Sequence, residues 1–485
     1  MQPNLVLGYL CKYKSGERDF YMHFSVRTGK APFVWVLTMA ITIPFYGQNE
    51  NSATTATGRG AIVTSNITDY QALSINPANL ALPENPKLAF GLAEFNLSLY
   101  SEAFPLNDLK ALMFNPSQLP NYNASQLAAM FSGARNSMDL NVMPFGFSLY
   151  GKKLGGLAFG IRQNLMATSY FNQGLSNLIF NGFHYTDYID SIIVTNTGDT
   201  IGISFQPVSA SELFDSSRIT LSATTDIVVG YGREIVSNDN IRLYAGVGFQ
   251  YVIGYAMIDA GARDHQLSAF TAITPGTGID FGNLTAPSLD TSGQFRPAGK
   301  GFGFDVGLNL STSYFQVGMS LTQLGSVTWS ANVFEMKDFT VDSIDFSGLD
   351  STIFNSQIHL VDVSGLADKK VPLPSKFRMG ISSEIIDKLH IGMDIAIPLN
   401  QGPGNLIRPF VGLGMDYDLL NFLTVSSGMT FGGNYRFDVP LGIRFHIGPQ
   451  NKGYELAVAT RDVLTFFGAD RPNLSFGMAA LRFKF

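Results

Sequence analysis

Between residues 389 and 397 every second side chain is apolar: Leu389, Ile391, Met393, Ile395 and Ile397 alternate with His390, Gly392, Asp394 and Ala396. A period of two places these sets on opposite faces of an extended strand, whereas a helix would need a period of 3.6. The pattern recurs at 437–447, where Phe437, Val439, Leu441, Ile443, Phe445 and Ile447 oppose Asp438, Pro440, Gly442, Arg444 and His446. It recurs again at 406–418, where Ile407, Pro409, Val411, Leu413, Met415 and Tyr417 oppose Arg408, Phe410, Gly412, Gly414, Asp416 and Asp418. Segments 302–310 and 376–385 behave alike.

Alternation by itself also suits a soluble sandwich. The composition of the second face separates the two. It mixes glycine with charge, as expected of strands lining a narrow wet lumen, while a sandwich exposes larger polar side chains. Charged residues are only 14% of the chain and hydrophobic ones 45%, below the quarter of charges usual in soluble domains but short of the apolar runs of a helical membrane protein. A barrel wall needs apolar side chains only at alternate positions. The 49 Gly, 39 Phe and 19 Tyr agree, since aromatics favour strands and interface girdles.

Residues 31–46 form an apolar stretch preceded by Arg27 and Lys30 and followed by Gly47 and Gln48. Basic region, apolar core, small residue and polar start is the order of a secretory signal. The competing reading, a membrane helix, wants about twenty apolar residues, and Pro44 interrupts this run. Residues 1–21 are polar, so Met22 is a candidate initiator, with cleavage near Gly47. Removing the five bases and two acids of residues 1–47 leaves 27 bases, 36 acids and a net charge of −9. No basic stripe exists to neutralise phosphates, so nucleic acid is not an expected partner. Cys11, the single cysteine, lies in the leader, which leaves no disulfide framework or thiolate metal site.

Residues 48–86 show no sustained period and read as a periplasmic or plug segment, ahead of a barrel over 87–485. About fourteen strands are expected, at 87–100, 139–150, 156–169, 219–233, 241–257, 301–311, 314–325, 376–385, 389–397, 406–418, 421–432, 437–447, 453–462 and 473–485. With the C-terminus in the periplasm, the four longest connections all fall outside and every even-to-odd connection is short, the asymmetry of outer-membrane barrels. The first external connection holds two expected short helices. Asn107 or Asp108 would cap Leu109 to Asn115, and Ser125 would cap Gln126 to Gly133, with Leu127, Met130 and Phe131 on one face. The fold class is all-β: an antiparallel transmembrane β-barrel of about fourteen strands with an N-terminal plug-like segment.

No catalytic constellation stands out, and no enzyme activity, cofactor or metal is expected. Histidines 23, 184, 265, 359, 390 and 446 form no metal-type pair. Gly146-Phe147-Ser148 and Gly318-Met319-Ser320 only touch the nucleophile-elbow pattern, and Gly299 to Gly303 lacks the Walker spacing. Asp338, Asp342, Asp345 and Asp350 match no calcium loop. The informative charges lie on expected inward faces: Arg242, Asp305, Arg378, Glu384, His390, Asp394, Arg408, Asp416, Arg444, Glu455, Arg461 and Arg482. An arginine facing hydrocarbon would cost about 2–4 kcal/mol near the midplane, so these side chains are expected to line the lumen. They would hydrate and pair there, or form a polar solute path, or hold a plug.

The chain resembles the fatty-acid-transporter-like outer-membrane barrels, a group that includes the accessory barrel of the type IX secretion system. The resemblance rests on Asn76-Pro77-Ala78-Asn79 ahead of the first strand, the glycine-rich stretch Gly299 to Gly307, Leu373 to Gly380 opening a strand, and the terminal Phe485. It implies that the N-terminal segment, with Asn76, Pro77, Ala78 and Asn79, enters the barrel as a plug. It also implies a bacterial outer-membrane location, outer-membrane lipid as a partner, and recognition of Phe485 by the barrel-assembly machinery. No ligand-binding motif of that family matches, so no fatty-acid site is carried over. Transport of a small or amphipathic solute is the leading expectation. The alternative is a structural or secretion-accessory barrel whose loops hold a secreted protein partner.

Overall fold

The computed structural model describes residues 54–485 except 61, 116, 118, 196–199, 277–284, 291, 346–362, 407, 434–436, 449–451 and 468–472. The leader expectations, including Met22, Cys11 and cleavage near Gly47, therefore lie outside the described residues.

Fourteen strands close into an antiparallel barrel: β1 Leu88–Ser101, β2 Arg135–Gly151, β3 Gly155–Tyr170, β4 Arg218–Ser237, β5 Ile241–Arg263, β6 Gly299–Thr312, β7 Gln316–Trp329, β8 Lys376–Ile386, β9 Leu389–Pro398, β10 Phe410–Leu420, β11 Leu423–Gly432, β12 Leu441–Ile447, β13 Gly453–Thr460 and β14 Asn473–Lys484. Each pairs with its chain neighbours. Closure comes from β14 on β1, from Ala89 opposite Lys484 to Tyr100 opposite Asn473. Closing a sheet removes the edges that would otherwise leave backbone donors and acceptors unpaired. Turns such as 152–154, 313–315 and 387–388 make one end short, and connections such as 102–134, 171–217 and 330–375 make the other long.

Strand β6 shows how the period builds the wall. Phe302, Phe304, Val306 and Leu308 are exposed outside, while Gly301, Gly303, Asp305, Gly307 and Asn309 are buried inside. Met379 and Ile381, Ile391 and Met393, and Leu413 and Met415 continue the exposed apolar face on β8, β9 and β10. No helix among the described residues is long and apolar enough to cross a membrane.

Three sequence expectations need correction. The strand expected from 406 begins at Phe410, so Arg408 is exposed in the preceding connection instead of lining the wall. Pro409, which has no N–H, cannot extend the ladder. The strand expected over 437–447 is split into Phe437–Asp438 and β12, with Val439 and Pro440 outside both. Pro440 interrupts it for the same reason. The two helices sit earlier than expected, at Leu106–Phe114 and Ala124–Phe131. Pro105 stands at the first N-cap, and Asn123, forming a capping box with Gln126, stands at the second.

The long end carries structure that strand counting did not anticipate. A third helix, Gln173–Asn181, packs against Ala124–Phe131, with the Phe131 and Phe180 rings 5.1 Å apart. Strand Gln266–Ile273 prolongs the β5 hairpin. Strands Ser191–Val194, Thr200–Ser209 and Thr340–Ile344 form a separate three-stranded sheet. Tyr122 donates to the Asp108 carboxylate between the first two helices, a hydrogen bond that pushes its phenol up to about 12.

Candidate functional site

Residues 54–60 and 62–86 pack against the inward-facing side chains of the strands. Ala56, Val63, Ile67, Tyr70, Leu73, Ile75 and Leu80 are buried in one apolar cluster with Ala89, Met143, Ala158 and Val228 of the wall. Inward glycines make the room. A Cβ on Gly146 would lie 2.3 Å from the Tyr70 ring, and one on Gly307 would lie 2.0 Å from Asn76 Oδ1. Any side chain larger than hydrogen at these two positions would collide with the segment.

Polar side chains fix the segment at several heights. The Asp394 carboxylate of β9 accepts from the backbone N–H groups of Val63 at 3.0 Å and Thr64 at 2.8 Å. Asn76 caps the short 3-10 turn Pro77–Ala81 and donates to the Thr64 carbonyl at 2.8 Å and the Leu308 carbonyl at 3.1 Å. Asn309 of β6 donates to Ser65 O at 2.6 Å and to Asn79 Oδ1 at 2.8 Å. Ser320 of β7 donates to Ile75 O at 2.5 Å, and Ser65 Oγ donates to Ser382 Oγ of β8 at 2.8 Å. Asn76, Pro77, Ala78 and Asn79 are all buried here.

Nearer the short end the contacts become ionic. Arg59 pairs with Asp416, which also accepts from Arg444 at 2.9 Å. Arg482 bridges Asp69 of the segment, at 2.5 Å, and Glu455 of β13. Lys484 joins Glu455 at 2.7 Å, and His446 approaches it at 3.4 Å. Tyr70 and Gln71 donate to the two oxygens of Glu94, at 2.5 and 2.9 Å. Buried charges are tolerated only when paired and hydrogen-bonded. Arg59 with Asp416, Asp69 with Arg482, and Tyr70 and Gln71 with Glu94 cross from segment to wall, while Arg444 with Asp416 and the Glu455 pairs join wall strands.

The remaining candidates divide by position. Asp305 is buried and accepts from the Gln323 N–H at 2.7 Å, and Arg378 is buried on β8. Arg461 follows β13 and holds Asp438 at 2.5 Å near the long end. Glu384 and His390 line an open cavity of about 740 Å³ at the short end, together with Arg59, Asp416, Arg444, His446 and Lys484. Arg242 is exposed at the short rim. A second cavity of about 50 Å³ lies on the far side of the segment, between β3, β4, β7 and residues 371–374.

Asp69, Tyr70, Glu94, Arg162 and Asp226 were absent from the sequence candidates. Arg162 and Asp226 share the inward parity of their strands, so alternation contained their signal. Glu94 does not: Ala93, at φ 55°, shifts the inward parity of β1 from Ala89 and Gly91 to Glu94, Asn96 and Ser98. A bulge of this kind re-aims every later side chain.

No curated protein matches the chain. Similar solved structures include the toluene transporter TodX of Pseudomonas putida, at 12% identity over 90% of this chain and 98% of that one, TM-score 0.43. The toluene transporter TbuX of Ralstonia pickettii is 13% identical over 92% and 100%, TM-score 0.39. A Pseudomonas aeruginosa FadL homologue is 12% identical over 90% and 98%, TM-score 0.40. Residues 77–452, well over half the chain, match a family described as "Family of unknown function (DUF5723)". The chain belongs to the DUF5723 family.

Proposed function

We propose that the protein is an outer-membrane barrel that passes a small amphipathic solute, without covalent chemistry, when the N-terminal segment shifts inside the lumen. One observation supports the reading: described residues of 54–86 are held to inward-facing wall residues by hydrogen bonds and ion pairs, with cavities lined by the wall on either side. A single buried hydrogen bond contributes only about 0.5–1.5 kcal/mol net, so such a set can be exchanged stepwise. The continuous apolar outer face of β6 and β8 to β10 supports a bilayer around the wall. In this reading residues 48–86 are the moving part of the mature chain after cleavage near Gly47, lipid covers the apolar face, and assembly machinery reads Phe485.

The test is solute uptake into vesicles containing either the full chain or a variant lacking residues 54–86, with barrel formation of both verified by circular dichroism. The variant is expected to admit solute and ions at least about tenfold faster, since its lumen loses the filling segment. Equal uptake by both would remove the reading.

A second reading has its own observation. Strand Ser191–Val194 is the edge of the external three-stranded sheet, and Ile192, Ile193, Val194 and nearby Phe205 are exposed. Exposed apolar edges mark places where another chain can pair, which supports a secretion-accessory role with a bound partner protein. Photo-crosslinking from position 193 in cells should then capture one abundant partner, and a diffuse smear would count against it.

A further inference from the structure

We propose that the small cavity on the long-loop side of the N-terminal segment binds the neutral hydroxyl head of an amphipathic alcohol. This rests on the transport reading and specifies its solute. The cavity measures about 50 Å³; since a water needs roughly 10–15 Å³ by this measure, it takes a head of roughly three or four non-hydrogen atoms.

Its lining has two characters. Met166, Met257, Val327 and Leu373 are apolar and suit the first methylenes of a tail, while Asn164, Asp226, Gln323 and Trp329 are polar. Among these, Asn164 Oδ1, Gln323 Oε1 and Trp329 Nε1 are buried without a hydrogen-bond partner. Trp329 is 0% exposed and Gln323 4%. Buried polar atoms are nearly always paired, so three orphans on one cavity point to a missing ligand. The Asn164 amide is oriented by its neighbours. Its Nδ2 donates to Asp226 Oδ2 at 2.7 Å and Thr224 Oγ1 at 3.4 Å, which leaves its carbonyl oxygen as the spare group.

Two spare acceptors and one spare N–H donor define the chemistry. A hydroxyl both donates and accepts, so it can satisfy an amide oxygen and the indole N–H together. A carboxylate brings acceptors alone and would face two carbonyl oxygens and the Asp226 carboxylate. Lys376 also lines the cavity, but it is already partnered. A hydrocarbon would leave all three groups unpaired, the costlier outcome.

The chain has two tryptophans, Trp35 and Trp329, so the full chain carrying Trp35→Phe reports from the cavity alone. In phospholipid nanodiscs, 1-octanol should produce a saturable change in Trp329 emission, with octanoate and octane binding about tenfold more weakly or less. Asn164→Leu and, independently on β7, Gln323→Met should each remove the preference for octanol. Octanoate or octane binding as tightly as octanol would overturn the proposal. So would no emission change with any of the three, which means a cavity holding water only, or an unchanged octanol preference in whichever of the two variants folds. Uptake into vesicles of a small ionic dye, which the bilayer itself excludes, separates the two claims. Uptake without an octanol response overturns the head-group assignment alone, whereas an octanol response without uptake supports the subsite and removes the transport reading.

Discussion

Arg482 of the closing strand donates to the Asp69 carboxylate of the N-terminal segment at 2.5 Å, with both side chains almost fully buried. The strand that completes the barrel therefore also holds what fills it. The same guanidinium pairs with Glu455 and lies 5.8 Å from the Tyr70 ring centre.

Removing one member of a buried pair leaves the other charge uncompensated, typically at about 3–5 kcal/mol. Arg482→Met should therefore lower the unfolding free energy by about that amount. Adding Asp69→Asn to Arg482→Met should restore part of the loss. Chemical unfolding in lipid vesicles measures both, and additive losses in the double variant would show that the two residues are not coupled.

The collision at Gly146 gives a second test. Gly146→Val places branched carbons where the Tyr70 ring lies, and overpacking of this kind costs about 1–3 kcal/mol. Limited proteolysis should cut residues 54–86 sooner in this variant. Tyr70→Ala in the same background should return protection toward that of Tyr70→Ala alone, because the collision is then gone.

How much of this was legible in the sequence depends on the type of contact. The strands and the short and long ends were legible because alternation is local and β6 or β9 each carry their own signal. Pro409 and Pro440 carried the signal of strand breaks, since a missing N–H is a property of the residue itself, but alternation alone ran the expected strands through both. The inward glycines were visible as small residues, but their purpose was not. Gly146 and Gly307 make room for Tyr70 and Asn76, which lie far away in the chain, and no local period encodes such a meeting. The lumen charges were partly visible by parity, and Glu94 escaped because the bulge at Ala93 resets it. Arg408 was misplaced because its strand was begun too early.

Orientation of the wall is tested by charge. Met393 faces outward on β9 and Asp394 faces inward. Met393→Arg should cost about 2–4 kcal/mol in a bilayer if it lies near the midplane, whereas Phe205→Arg in the exposed loop sheet should stay within about 0.5 kcal/mol. Reversible unfolding into lipid vesicles reads both. Equal effects would contradict a lipid-facing outer surface.

For solute to pass through the barrel, the N-terminal segment must move. Ser65 Oγ and Ser382 Oγ are 2.8 Å apart, one on the segment and one on β8. Ser65→Cys with Ser382→Cys, in a Cys11→Ala background without other thiols, allows a disulfide to tie them under oxidation. Uptake into vesicles of a small ionic dye, which the bilayer itself excludes, should fall at least about tenfold on oxidation and recover on reduction. Equal uptake with the tether closed and open would mean that the segment does not need to move.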